Sequence, residues 1–455
     1  VNTAVGGKTL ESTTTGSSNI AMGYAAMTNN TTGSSNVALG RNALYTNTTA
    51  DNNTAIGRSA LEVNTTGTQN TSVGTYSLDA NTSASNNTAV GYNTLSANTT
   101  GAENTAVGAK ALDASSTGAY NTAIGTSALG SSTTASFNTA VGRDALFSNT
   151  TGNENTAVGY NCLDSNTTGV ENVAVGSSAM AANTTGHFNT AVGRDALFSN
   201  TSGQYNVAVG QNALDACTNT SHNTAVGRNS LGACTSQQNT AVGSDALENV
   251  TTGNYNQGFG RLAGYQITTG DHNVCIGQRA GYSITTGNRN VNIGHECRPS
   301  SSGGEQEVVI GYAIVGKGTR TFFVSSDSGV YHGGNTTLWS TTSDERIKKN
   351  IVDNNEGLSL INQIAVKNFE YKTAEEIESA GEVPVTDTVN KTGTQVGVIA
   401  QELQQVRPSW VTTRDNGTLA VTGADEIIWH LVNAVQELSA KNTALEARIA
   451  ALESA

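Results

Sequence analysis

Side chains that could bind a metal, form a disulfide or cleave a polymer are few and widely spaced in this 455-residue chain. Its five cysteines and six histidines show no zinc-site spacing, so we predict no metal and no cofactor. Cys217 and Cys234 occupy equivalent places in the repeat described below; a disulfide between them is conceivable, but free, buried thiols are favoured. Asp144, Asp195 and Asp245 share another repeat position, where Ser and Asn also occur. That variation predicts a solvent-facing position and not the paired carboxylates of a glycosidase.

The composition argues against several classes of function. Charged residues make up 13% and aromatic residues 5% of the chain, whereas glycine reaches 50 residues and proline only 3. A net charge of −13 argues against nucleic acid as a partner. No apolar run is long enough to cross a bilayer, so we predict no membrane insertion.

The elements that must position any site come from a 17-residue repeat. The motif Asn-x-Ala-Val/Ile-Gly recurs, with variations, from Asn2 to Asn290. Every step is 17 residues except the step of 16 between Asn223 and Asn239, and a nineteenth copy begins at Glu307. Such a period predicts a stack of similar coils.

A typical unit, residues 138–154, predicts one coil of a parallel β-solenoid, or β-roll. Ala140 and Val141 predict one short strand, and Ala145 and Leu146 predict a second, with turns between them. Stacked coils repeat about every 4.8 Å, so the leading Asn residues would form a ladder of amide hydrogen bonds. Each coil offers only one Val or Ile, one Leu and two Ala for burial, against an ordering cost of about 1–2 kcal/mol per residue. We therefore predict that three chains pack about one axis.

Three interpretations of this shaft remain open: a spacer, a receptor-binding surface, or an ice-binding face built from Thr pairs such as Thr150 and Thr151. The Asn-x-Ala-Ile-Gly rhythm resembles the head repeats of trimeric autotransporter adhesins, which build a left-handed β-roll from shorter units. Receptor binding would use aromatic and His residues scattered just before the leading Asn positions, namely Tyr120, Phe137, His187, Phe188, Tyr205, His222, Tyr255 and His272.

The chain is predicted to contain three domains: a shaft over 1–296, a β stem over 297–342 and a small α+β domain over 343–455. Charge density rises in the third domain. There the sequence predicts a strand running into a helix within 397–406, and a hairpin around an Asp-Asn-Gly turn.

One long helix is predicted from Asp425 to the end, forming a coiled coil over about 425–455. Branched residues at a, Leu at d and a single Asn442 are typical of a parallel dimer, although the shaft argument favours a trimer. Asn442 would set the register. Heptad a is filled by Ile428, Val435, Asn442 and Ile449, and heptad d by Leu431, Leu438, Leu445 and Leu452.

The third domain resembles the C-terminal intramolecular chaperone of phage tailspikes and tail fibres. The resemblance rests on the segment SDERIKKNI at 343–351, on GVIAQE at 397–402 followed by Val406 and Pro408, and on the terminal helix. It implies a chaperone that trimerises, sets the register of the shaft and then cleaves itself off.

The resemblance also implies site residues. Cleavage would fall between Thr342 and Ser343, with Ser343 as nucleophile, Lys348 as base and Asp344 in a supporting role. Lys349 is the less favoured base. Activity would be autoproteolytic only, with no external substrate. A different interpretation of the same residues is an ordinary helix N-cap formed by Ser343.

The expected function is therefore that of a tail-fibre or tailspike shaft for host attachment, located in the virion tail and made in the host cytoplasm. Expected partners are two further copies of the chain, a host cell-surface receptor (a glycan or a surface protein), and the phage tail or baseplate. Because Val1 lies inside a repeat, we expect the last contact to use an N-terminal segment outside this sequence. The alternatives are a bacterial surface adhesin and a polysaccharide-degrading tailspike.

Overall fold

The structure is a computed structural model, and it describes residues 1–325, 330–333, 349–373, 375–377, 393–413, 418–421 and 424–454. The chain divides into two compact units, Val1–Thr342 and Ser343–Ala455.

The first unit contains one short strand in each of its nineteen coils. Each strand pairs in parallel with the equivalent strand of the next coil, so that Ala140 lies opposite Ala157. The predicted fold class, mostly β with a parallel solenoid of 17-residue repeats, is confirmed. The strands are β1 Thr3–Val5, β2 Ile20–Met22, β3 Val37–Leu39, β4 Thr54–Ile56, β5 Thr71–Val73, β6 Thr88–Val90, β7 Thr105–Val107, β8 Thr122–Ile124, β9 Thr139–Val141, β10 Thr156–Val158, β11 Val173–Val175, β12 Thr190–Val192, β13 Val207–Val209, β14 Thr224–Val226, β15 Thr240–Val242, β16 Gln257–Phe259, β17 Val274–Ile276, β18 Val291–Ile293 and β19 Val308–Gly311.

The second apolar segment of each coil is a series of turns, so the prediction of two strands per coil is wrong. Two residues of this segment adopt the left-handed conformation, with φ at 56° for Asp144 and 53° for Leu146. Left-handed backbone costs about 1–2 kcal/mol at a residue with a side chain. Complete burial of a Leu side chain contributes about 1.5–3 kcal/mol and offsets that cost. The left-handed residues close the coil where a second strand would have kept it extended.

The parallel stack continues past residue 296, into the region predicted as a stem. Strand β20, Thr321–Ser325, pairs in parallel with β19, and β21, Val330–Gly333, pairs antiparallel with β20. Glu307 takes the place of a leading Asn there, and its backbone N–H donates to Asn290 Oδ1 at 3.0 Å. Because this bond preserves the inter-coil pattern, the stacking of coils survives the decay of the sequence motif.

The core of each coil is narrow. Ala140, Ala145 and Leu146 are fully buried, as are most of their equivalents from the second coil onward, whereas Ala4 of the first coil is exposed. Val141, which the sequence placed in the core, faces outward beside the buried Ala140. A single chain therefore buries its Ala and Leu residues and leaves the Val or Ile of each strand partly exposed.

Two ladders of asparagine side chains complete the core. The first is the predicted one, and it is confirmed: Asn138 Nδ2 donates to Asn121 Oδ1 at 3.3 Å, and the backbone N–H of Asn155 donates to Asn138 Oδ1 at 2.9 Å. The second was not foreseen: Asn166 Nδ2 donates to Asn149 Oδ1 at 2.8 Å. Its signal in the sequence is the recurring Asn-Thr-Thr-Gly, whose residue types by themselves predict only a turn.

All five cysteines are buried and free, as predicted. Cys217 and Cys234 take the place of the second Asn ladder in adjacent coils. Burial raises the pKa of the Cys162 thiol to about 12 and that of Cys217 to about 11. These side chains serve as small apolar fillers.

The second unit is a small α+β domain. Its helices are α1 Leu358–Ile361, α2 Ala400–Val406 and α3 Ala424–Glu453, with a 3₁₀ turn at Pro408–Trp410. Two antiparallel pairs join β22 Lys367–Phe369 to β23 Gln395–Gly397, and β24 Val411–Thr413 to β25 Leu419–Val421. The predicted strand-to-helix segment, hairpin strands and long final helix are all present, and the centre of the hairpin turn lies outside the described residues.

The core of this unit consists of Leu360, Leu403, Trp410 and Val411. Trp410 is 1% exposed, and its indole Nε1 donates to Glu426 Oε2 at 2.6 Å. This bond fixes the first turns of α3 to the hairpin.

Candidate functional site

The predicted cleavage site lies outside the residues that the structure describes. The segment 334–348, which is not described, contains all of its residues: Thr342, Ser343, Asp344 and Lys348. Their mutual geometry and the alternative interpretation of Ser343 as a helix N-cap therefore remain predictions. Lys349, the less favoured base, is exposed.

The chain that follows this segment is held against α3 by polar contacts. Asn433 Nδ2 donates to Asn354 O at 2.7 Å, and His430 Nδ1 lies 2.7 Å from Glu356 O. The backbone N–H of Leu358 donates to Glu437 Oε2 at 3.3 Å. The long helix thus fixes the residues directly downstream of the predicted site.

The other face of α3 is apolar and exposed. All eight predicted heptad a and d residues, Asn442 included, are exposed in the single chain. Val435 is 65% exposed and Ile449 53%. An apolar stripe of this length on a soluble helix is typical of a coiled-coil seam without its partners.

A second apolar surface runs along the shaft, and we call it the outward stripe: the third residue of each strand β1–β19. It is Val, Ile, Leu, Met or Phe in every coil, and in no coil is it buried. Ile124 is 41% exposed and Ile276 40%. Adjacent members are one coil apart, so the stripe is continuous over the whole stack.

The aromatic residues before the leading Asn positions are not scattered, as the sequence indicated, but stack between adjacent coils. Tyr120 and Phe137 lie parallel with ring centroids 4.9 Å apart. Phe188, Tyr205 and His222 form a stack of three, with spacings of 5.0 and 5.1 Å. Tyr255 and His272 form a further pair at 4.7 Å. In the neighbouring position, His187 Nδ1 accepts the backbone N–H of Val170 at 3.0 Å. Each of these stacked rings has at least one face covered by a neighbour, although the rings remain partly exposed, Tyr120 by 50% and Phe137 by 57%.

The Thr pairs have a structural role. Thr150 Oγ1 donates to Thr167 O at 3.0 Å in the next coil, and Thr167 repeats the contact with Thr184 at 3.0 Å. The second Thr of each pair, such as Thr151 or Thr168, is exposed. One of the two Thr hydroxyl groups in each pair is therefore used in an inter-coil hydrogen bond, and an ice-binding face would need both.

The recurring acidic position differs from coil to coil. Asp144 and Asp195 are partly exposed and pair with the preceding arginine. Asp245 is only 8% exposed and pairs with Arg228 at 3.2 Å. The prediction of a solvent-facing position is wrong for Asp245, because the Arg228 side chain of the preceding coil covers it.

A notch opens beside this pair at Gly232, between Asp215 and Glu248 of the adjacent coils. A Cβ at Gly232 would lie 3.5 Å from Asp215 Oδ1 and 3.8 Å from Glu248 Cγ. The cleft has a volume of about 440 Å³, and Asn212 and Asn229 contribute to its wall. Burial raises the pKa of both carboxyl groups. At Gly130, the equivalent glycine of another coil, a Phe147 ring carbon lies 3.0 Å from the Cβ position and fills the space.

Another cleft, of about 390 Å³, lies between the coils that begin at Asn70 and Asn87. Its wall combines two tyrosines with polar side chains: Tyr76, Asp79, Tyr92, Asn93, Ser96 and Ala97. The sequence gave no indication of it, because its members come from two different coils. Among the described residues, no group of three or more His, Cys, Asp or Glu side chains could hold a metal ion.

The comparison with protein families adds one match. Residues 343–412 match the family model described as the chaperone of endosialidase, and the match begins at Ser343, the first residue of the second unit. No curated protein matches the chain. No solved structure matches it either.

The fold and the match together define a β-solenoid repeat protein with a chaperone-of-endosialidase domain, a combination that fits a phage tail fibre or tailspike. Within the described part of the chain, no helix is long and apolar enough to span a bilayer.

Proposed function

We propose that this chain is the shaft of a phage tail fibre or tailspike, which attaches the virion to its host and is assembled as a homotrimer by its C-terminal domain. The observation that carries the proposal is the chaperone-of-endosialidase match, which starts where the repetitive unit ends. The protein would act in the virion tail, bound at one end to the tail or baseplate and in contact with a host receptor.

Two exposed apolar surfaces support self-association. The outward stripe requires a partner with the same spacing along its whole length, and another copy of the shaft in register meets that requirement. The heptad stripe of α3 requires parallel helices, and Asn442 selects one register among them. Trimerisation at α3 would thus align three shafts before their stripes meet.

Self-cleavage would follow assembly. Lys348 would remove the proton of the Ser343 hydroxyl, and the oxygen would attack the carbonyl carbon of Thr342. The peptide bond to the Ser343 nitrogen breaks, an ester to the Ser343 oxygen forms, and water hydrolyses this ester to leave a carboxylate on Thr342. Proximity favours the step, because nucleophile and carbonyl belong to adjacent residues.

The test is a denaturing gel of the full chain with the variants Ser343→Ala and Lys348→Met, and with Lys349→Arg as matched control. Wild type and control should give two fragments, the smaller beginning at Ser343 by N-terminal sequencing. Both active-site variants should remain one band. An uncut wild-type chain would contradict the proposed self-cleavage. A monomer or dimer in light scattering would contradict the proposed trimer.

A second candidate function, polysaccharide cleavage, is favoured by the Gly232 notch. Glu248 would protonate the glycosidic oxygen while the Asp215 carboxylate activates a water for attack on the anomeric carbon. Asp215 and Glu248 belong to the coils on either side of Gly232, a placement that supports two carboxyl groups flanking a bound polysaccharide.

Incubation of the purified chain with bacterial surface polysaccharides, followed by a reducing-end assay, tests this candidate. Glu248→Gln and Asp215→Asn should abolish product formation, and Asp164→Asn, at the same coil position away from the notch, should leave it unchanged. No product from the wild type would exclude cleavage of the polysaccharides tested.

A further inference from the structure

The cleft between the coils that begin at Asn70 and Asn87 contains one residue whose type is unusual for its place in the repeat. Tyr76 is the only aromatic residue at its repeat position, where other coils carry residues such as Ser59, Asn93 and Lys110. Its φ of 57° matches that of Asn93 and Lys110 at 50° and 59°, so the coil has the same backbone with or without the ring. The ring is therefore not required to form the coil.

The two tyrosines present ring surface to the cleft. The ring centroids of Tyr76 and Tyr92 are 6.5 Å apart, with planes inclined at 71°. Because the rings are roughly perpendicular, they do not cover each other's faces as the stacked rings before the leading Asn positions do. Tyr92 is 52% exposed, and the guanidinium of Arg58 lies 5.1 Å from the centre of the Tyr76 ring. The cleft thus has an aromatic wall with an open face.

The polar wall carries acceptor atoms that lack donors. Asp79 Oδ1 and Asn93 Oδ1 are buried and have no hydrogen-bond partner in the described structure. The Ser96 hydroxyl already donates to Asp113 Oδ1 at 2.5 Å. The side chains of Asp79 and Asn93 are only partly buried, so part of each is accessible from the cleft and can hydrogen-bond the hydroxyl groups of a ligand. Burial raises the pKa of Asp79, and the Glu62 carboxylate adds to the effect.

We propose that this cleft binds a neutral pyranose ring of a cell-surface glycan, with Tyr76 and Tyr92 against the carbon face of the sugar and Asp79 and Asn93 accepting from its hydroxyls. An aromatic platform beside a few convergent polar groups is the lining expected of a specific small-ligand site. Asp79 and the nearby Glu62 disfavour anionic groups, which argues against sialic acid, sulfate or phosphate as the occupant. The identification of the glycan as a receptor rests on the host attachment proposed above, whereas the binding site itself does not.

The experiment uses the full chain and saturation-transfer NMR with methyl glucoside, methyl galactoside, methyl mannoside and N-acetylglucosamine as neutral probes, and sialic acid as the anionic probe. At least one neutral probe should bind, and sialic acid should not. Tyr76→Ser and Asp79→Ser should each weaken binding at least about tenfold, as expected from losing about 1.4 kcal/mol of contact. Other coils carry serine at both positions, namely Ser59 and Ser96, so the coil of each variant should still fold.

The control is Tyr160→Ser, which removes the tyrosine at the Tyr92 position of a distant coil, 49% exposed against 52% for Tyr92, and should leave binding unchanged. The proposal is overturned if no neutral probe binds the wild type, if sialic acid binds best, or if both cleft variants bind as the wild type does. A chain that trimerises and cleaves at Ser343 but fails these tests would retain its proposed function and lose only this site.

Discussion

The leading Asn ladder gives a prediction whose size follows from the hydrogen bonds. Asn138 is 1% exposed, and its Oδ1 is the acceptor for the backbone N–H of Asn155 at 2.9 Å. Its Nδ2 donates to Gly152 O at 3.0 Å, to Ser136 O at 3.1 Å and to Asn121 Oδ1 at 3.3 Å. Asn138→Ala removes all four contacts and adds none.

The losses are unequal. Gly152 O keeps a donor in Asn149 Nδ2 at 2.9 Å. The N–H of Asn155 is left buried without an acceptor, which costs about 1–3 kcal/mol. The two Nδ2 hydrogens are shared among three acceptors, so the remaining loss is that of about two bonds, about 0.5–1.5 kcal/mol each. We therefore expect Asn138→Ala to destabilise this part of the shaft by about 2–6 kcal/mol.

Asn138→Asp keeps the shape and changes the charge. A carboxylate there would face Gly152 O and Asn121 Oδ1, which are both acceptors, so the folded state favours the protonated acid and its pKa is raised. The unfolded chain ionises near pH 3.9. Since the unfolded state then binds fewer protons than the folded state, stability falls as the pH rises above about 4, until the raised pKa is passed. The variant should therefore be more stable at pH 4 than at pH 8, relative to the wild type.

The assay is amide hydrogen exchange, because a repeat protein opens locally and a single global midpoint would dilute the effect. Protection should fall in the coils on either side of residue 138 and recover away from them. The control is Asn153→Ala: Asn153 Oδ1 also accepts a backbone N–H from the preceding coil, that of Ser136 at 2.8 Å, but this contact is exposed. Equal loss of protection in Asn138→Ala and Asn153→Ala would refute the claim that burial makes the ladder important.

Three further predictions follow from the same geometry. Gly142→Ala should destabilise its coil by about 3 kcal/mol or more in a denaturant melt, since φ is 139° and a Cβ would meet a backbone oxygen at 2.2 Å. Gly232→Ala should be tolerated, because the nearest atom to its Cβ is Asn229 O at 3.3 Å and another coil carries Phe147 at the same position. Cys162, with its pKa raised to about 12 by burial, should resist iodoacetamide at pH 8 in the native state and react after unfolding; rapid native labelling by mass spectrometry would contradict its burial. Leu438→Lys should dissociate the oligomer, as measured by light scattering, with little change in helix content by circular dichroism. Ala440→Lys, on the helix face opposite the seam, should leave the oligomer intact. A Leu438→Lys variant that stays associated would show that α3 is not the contact.

Most of the secondary structure of the C-terminal unit could be predicted from local sequence patterns. The helix from Ala424, the strands around the Asp-Asn-Gly turn and the strand running into α2 each depend on periodicity and turn residues within a few positions. Local patterns did not reveal the contacts from α3 to residues 354–358, because the partners are 74 or more positions apart.

In the shaft, the sequence by itself determined the period, the parallel stacking, the first Asn ladder and the burial of the cysteines, because each follows from identical residues recurring at equal steps. It did not determine which way a side chain faces. Ala140 and Val141 are adjacent and both apolar, and alternation along a strand sends them to opposite sides; only the bend of the coil, set by left-handed residues such as Leu146, decides which is inside. The same holds for the cleft at Tyr76 and the notch at Gly232: each needs residues from different coils, and only the stacked coil brings them together.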